Sequence, residues 1–171
     1  MLHFKAFMFR LAGSIVVFAA FAFAQPPAQR LSRQRDMDVL RDMPPVAIGA
    51  GLNDSKLDEA TYRKIVHDTL TEYSIPVKWT PQPAPSTDPP TIFVVNDPLR
   101  DKDLVSVVLT LQVMDKVVIT RGANSRTILA VVWESVDAGY FPPAQEKEET
   151  QKIIRRLVEK FCLSYLAANR R

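Results

Sequence analysis

Residues suited to chemistry are scarce in this chain: among 171 positions there are one cysteine, two histidines and five glycines. The lone Cys162 excludes an intramolecular disulfide and leaves only pairing with another chain. It borders the apolar face of a helical stretch with no histidine beside it, which reads as an inert, partly buried thiol. His3 belongs to an apolar leader, so His67 is the only histidine available downstream. That scarcity argues against His/Cys zinc clusters, Cys-His catalysis and any Ser-His-Asp triad not built on His67. His67 itself falls well off the apolar stripe of its helix and reads as a solvated surface residue. The glycines form neither G-x-G-x-x-G nor a phosphate loop, and neither G-x-S-x-G nor H-E-x-x-H occurs. There is also no basic stripe interleaved with aromatic residues, so no nucleic-acid partner is expected. Neither a cofactor nor a metal is expected.

What is present begins with a leader. Residues 1–24 carry Lys5 and Arg10, then the mostly apolar run Leu11–Phe23, and close on Ala22-Phe23-Ala24. A positive start, a short apolar core and an A-x-A end make a secretory signal peptide, with cleavage expected before Gln25. The alternative is an uncleaved anchor that keeps the chain beside a membrane, although the apolar run is short for spanning. No cysteine stands at the cleavage site, which argues against a lipoprotein. Losing Lys5 and Arg10 takes the formal charge from +3 to +1. Gln25–Arg35 is polar, basic and proline-containing and reads as a tether; residues 25–44 are taken as a flexible N-terminal segment, leaving residues 45–171 as a single domain. The expected location is exported, periplasmic or extracellular.

The domain is organised around Leu104–Glu134. In its first run Val105, Val107, Leu109, Leu111, Val113, Val117 and Ile119 alternate with mostly polar neighbours, the period-2 pattern of a strand with one buried face. In its second run Ile128–Trp133 is entirely apolar, as expected of a strand buried on both faces, and encloses Val132. The first run is long for one strand, so a bulge is expected near Met114-Asp115-Lys116. Upstream lie a short strand at Val46–Ile48, a helix starting near Asn53-Asp54-Ser55 or Asp58, a strand at Ile75–Thr80 and another at Thr91–Val95. Pro81–Pro90 reads as a stiff proline-rich loop and Asn96–Asp103 as a turn. A closing helix from about Ala144 to Ala168 carries acids at its start and arginines after its end, which suits its dipole. Leu163 points away from the apolar face of that helix.

The expected fold is α+β: a mostly antiparallel sheet of about five strands with two helices on one face, in two layers. Its bare face would carry Ser106, Thr110 and Gln112, which are candidate binding residues together with Trp79 beside the proline loop. Trp133 ends an all-apolar strand and is assigned to the core. A second reading is a hydrolase using carboxylates among Asp97, Asp101, Asp103, Glu134 and Asp137. The aspartates at 97, 101 and 103 do not form a calcium loop, because Pro98 interrupts them and the required Gly and Glu are missing.

Tyr73-Ser74-Ile75-Pro76-Val77, Val132-Trp133-Glu134 and Phe161-x-x-x-Tyr165-Leu166-Ala167-Ala168-Asn169 give the chain a likeness to a group of uncharacterised exported bacterial proteins. Its layout is also similar, as an analogy of fold, to small domains of envelope-assembly proteins such as the N-terminal domain of the Tol-system propeller protein. The export signal, the scarcity of catalytic groups and the half-bare sheet together point to an exported binding or envelope-assembly module with an envelope protein or polymer as partner, and no function is carried by the resemblances. They imply no catalytic residue.

Overall fold

The computed structural model describes residues 38–51, 56–80, 82–83 and 90–170. The leader, its cleavage site, most of the flexible segment, Asn53-Asp54-Ser55 and most of the proline loop lie outside the described residues.

The chain is α+β. Five strands run in the spatial order β2-β1-β3-β4-β5, where β1 is Val46–Ile48, β2 Val77–Lys78, β3 Thr91–Arg100, β4 Val105–Arg121 and β5 Asn124–Phe141. Helix α1 is Glu59–Glu72 and helix α2 is Glu146–Ala168. A further helical segment is described at residues 38–40, and the 3-10 turn Pro143–Gln145 leads into α2. The sheet is mixed, which corrects the expectation of a mostly antiparallel one: β1 pairs in parallel with both β2 and β3, while β3–β4 and β4–β5 are antiparallel. The cause is the connection. A helix between two strands carries the chain back to the end where it started, so β1–α1–β2 is a parallel unit.

Local chemistry explains the boundaries. Asp58 caps α1 by accepting the Thr61 N–H at 2.8 Å. That helix ends before Ser74, which takes a positive φ of 57°, and Pro76 follows. β3 continues through Asn96, Asp97 and Pro98, where a turn was expected. Proline is tolerated there because β1 pairs with β3 only at Thr91 and Ile92, so among the described residues β3 has no partner strand on that side at Pro98.

The inward positions of β4, Val105 through Val113 at every second residue, are all buried, and α1 and α2 complete the same core with Tyr62, Val66, Leu70, Ile154, Leu157 and Phe161. Packing reaches back past Pro44: Leu40 and Met43 are core residues, so the packed chain starts ahead of residue 45. Trp133 is buried and meets Phe161 edge-on at 5.3 Å. Asn169 fastens the two ends of the domain. Its Nδ2 donates to the Leu40 carbonyl at 3.0 Å and its Oδ1 accepts the Asp42 N–H at 2.9 Å.

The bulge falls one pair earlier than expected. Val113 faces Trp133 and Met114 faces Val131, leaving Val132 as the extra residue. The run Ile128–Trp133 is not buried on both faces: Leu129 and Val131 are exposed and Val132 is half-buried. β5 is an edge strand, and β3 ends opposite Met114, so among the described residues this part of the hairpin has no third strand beside it.

Candidate functional site

The face of β3–β5 turned away from the helices is open. Register places Phe93, Val95, Asp97 and Leu99 of β3 across from Gln112, Thr110, Val108 and Ser106 of β4. Glu134, Val136, Ala138 and Tyr140 of β5 complete the rows. Ser106, Thr110 and Gln112 thus share one face, each partly exposed. That face is less polar than the even positions of β4 suggest, because its neighbours come from other strands. Leu99 is 76 % exposed, Tyr140 73 % and Val136 52 %. Within the face, Gln112 Nε2 donates to Glu134 Oε2 at 2.8 Å, a cross-strand pair. Phe93 lies over Gly49, where an added Cβ would strike the ring.

Trp79 is not part of this set. It follows β2, at the opposite edge of the sheet from β5. The indole is half exposed, with the Arg63 guanidinium 4.8 Å from its centre and His67 edge-on at 4.7 Å. His67 is therefore a partner of Trp79 and only partly solvated. Arg63 is buried and also donates to the Gln82 carbonyl at 3.0 Å, so it ties the chain after β2 to α1. The sequence signal for this cluster was the four-residue spacing of Arg63 and His67 on one helix, which places both on the same side.

The five carboxylates of the hydrolase reading are spread out. Asp97 and Glu134 stand on the open face two rows apart. Asp101 and Asp103 occupy the turn between β3 and β4, where the Asp101 N–H reaches the Leu104 carbonyl. Asp137 projects to the helix side, opposite to Glu134, and accepts from Arg156 Nε at 3.0 Å with Lys160 Nζ 3.6 Å away. Burial pushes the Asp137 carboxyl up, but the hydrogen bonds from Arg156 and the Ala138 N–H, with the Lys160 charge, hold it below the usual value. Among the described residues no group of three or more His, Cys, Asp or Glu side chains could hold a metal ion.

Glu146 was legible only as an acid at a helix start. It is in fact almost wholly buried, with Arg100 Nη2 at 2.7 Å and Lys56 Nζ at 3.3 Å from its oxygens. The Arg100 hydrogen bonds hold its carboxyl below the usual range against the opposing effect of burial, with help from Lys56. The pair locks the end of β3 to the start of α2. Cys162 is fully buried, and burial pushes its thiol up to about 12.

The β4–β5 hairpin also runs on past the three-stranded part as a ribbon whose tip holds Gly122 at a φ of +59°. A depression of about 390 Å³ there is lined by Ile119, Arg121, Asn124, Ser125, Arg126 and Ile128. Among the described residues no helix is long and apolar enough to cross a membrane. Comparison with family models, curated proteins and solved structures gives no match.

Proposed function

We propose that this chain is an exported, non-enzymatic binding or envelope-assembly module, which docks a partner on the open face of β3–β5. The observation that carries this reading is the exposed row set of Leu99, Tyr140, Val136, Val95 and Val108 around Ser106, Thr110 and Gln112. Clustered exposed apolar side chains interspersed with polar groups favour docking, because their burial stabilises a complex without needing a pocket. The leader supports export, to the periplasm or outside the cell. The dispersal of the five carboxylates favours binding over the hydrolase reading.

The test compares capture from envelope extract by wild type, by Val136→Arg on the open face and by Lys152→Glu on α2. The reading expects Val136→Arg alone to lose a specific component, and that component to slow amide exchange in β3–β5 of the wild type. Equal capture by all three, or protection mapping to α2, would sink the open-face reading. Export is tested separately, by fusing residues 1–24 to a reporter that is active only outside the cytoplasm.

A further inference from the structure

Beyond Met114 the hairpin continues without β3 as a two-stranded ribbon, residues 115–121 paired with 124–130. A lone two-stranded ribbon is marginal in water. This one leaves Val118 62 %, Ile119 43 % and Leu129 37 % exposed, with Val118 and Ile119 pointing to opposite faces. Apart from Asp115 at its base its charge is of one sign: from Lys116 to Trp133 there is no acidic residue, while Lys116, Arg121 and Arg126 are cationic. The open face of β3–β5 is the reverse. Its outward positions hold Asp97 and Glu134 and no Lys or Arg, set among exposed aliphatic side chains. Two cationic ribbons repel each other, which argues against ribbon-on-ribbon pairing.

We infer that the ribbon of a second copy of this chain is what occupies the open face. The two copies exchange ribbons reciprocally about a two-fold axis. Val117, Ile119 and Ile128, on the ribbon face that also carries Arg121 and Arg126, cover the aliphatic side chains of the open face, and the two arginines stand against Asp97 and Glu134. The inference rests on the open-face reading and names its occupant. The dimensions agree: seven strand residues reach about 23 Å, within the ~30 Å run of Val105–Val113 in β4 at ~3.3 Å per residue. A two-fold axis repeats the contact, so each copy both gives and receives a ribbon.

Sedimentation velocity of the full chain over a concentration series tests this. Four chains are compared: wild type, Arg121→Glu/Arg126→Glu, Asp97→Arg/Glu134→Arg, and the combination of all four changes. Residues 1–24 are common to all, so association driven by the leader would not respond to them. The expected result is a wild-type dimer, weakened about tenfold or more by either reversal and restored to within about threefold in the combined chain. A monomeric wild type, a dimer indifferent to both reversals, or a combined chain that stays dissociated overturns the inference. A monomeric wild type that binds phosphatidylglycerol vesicles through Arg121 and Arg126 also overturns it, with lipid as the occupant. If the wild type is monomeric yet Val136→Arg still loses its envelope component, only this inference fails. If dimer and capture both ignore the open-face variants, the open-face reading fails with it.

Discussion

A carboxylate withdrawn from water is tolerable only when its charge is answered, and Glu146 is answered by Arg100 and Lys56. Glu146→Gln should therefore destabilise the domain by about 1.5–3 kcal/mol, read by denaturant unfolding at neutral pH. The pH dependence follows from the direction of the shift. The folded carboxyl titrates below its unfolded value of about 4.3, so its contribution is complete above that value and is lost as pH falls through the folded one. Wild type and Glu146→Gln should converge in stability in that acid range; a gap unchanged down to full protonation would show that charge is not the cause. Cys162 gives a second test. With its thiol pushed up to about 12 and buried, it should react with a thiol reagent at pH 8 only as fast as the domain opens. Fast labelling of the native chain would contradict its place in the core. Gly49 gives a third. A Cβ there would strike Phe93, so Gly49→Ala should cost about 1–3 kcal/mol, and Gly49→Ala/Phe93→Leu should recover part of it.

For single elements the sharpest contrast is within β4. Leu109 faces the core with no exposure, while Thr110 beside it lies on the open face. Leu109→Asp places an unpartnered carboxylate in the core and forfeits ~1.5–3 kcal/mol of burial, a large part of a typical margin of ~5–15 kcal/mol. Thr110→Asp keeps its charge hydrated. Thermal unfolding should find the first chain unfolded or strongly destabilised and the second near wild type; equal melting temperatures would mean the faces are exchanged. The ribbon is the other element with a clear expectation. At dilution its amides at 115–121 and 124–130 should exchange well before those of Val105–Val113, since only the latter stretch has β3 at its side. Uniform protection along β4 would refute that division.

Across the molecule, the α+β class, the buried face of β4 and the stripes of both helices were legible in the sequence, because period 2 and period 3.6 are written in single side chains. Strand direction was not. It depends on how a connection packs, and nothing in Val46–Ile48 or Val77–Lys78 states whether they pair in parallel. The apolar run Ile128–Trp133 misled for a related reason. Composition signals burial, but the run lies on an edge strand where β3 has already ended, so its surroundings come from β3 and not from itself. The candidate site was legible in half. Ser106, Thr110 and Gln112 share the open face as their spacing requires, whereas Val95, Leu99, Val136 and Tyr140 joined them through a register no single strand encodes. Trp79 lies at the far edge, held by Arg63 and His67.

The parallel seat of β1 also sets a timetable. β1 is three residues long and must pair with segments that begin at Val77 and Thr91, and α2, which supplies much of the core, follows all of these strands. β4 and β5, by contrast, meet across the short turn at Gly122-Ala123 and can zip within microseconds. A nascent chain synthesised from its N-terminus therefore holds β1 unpaired until β2 has emerged, without its second partner until β3 has, and unburied until α2 has followed. Such a chain stays open and threadable until Glu146–Ala168 has been made. Arrested chains ending before Glu146 should leave Val46–Ile48 open to protease, and chains extended past Asn169 should not.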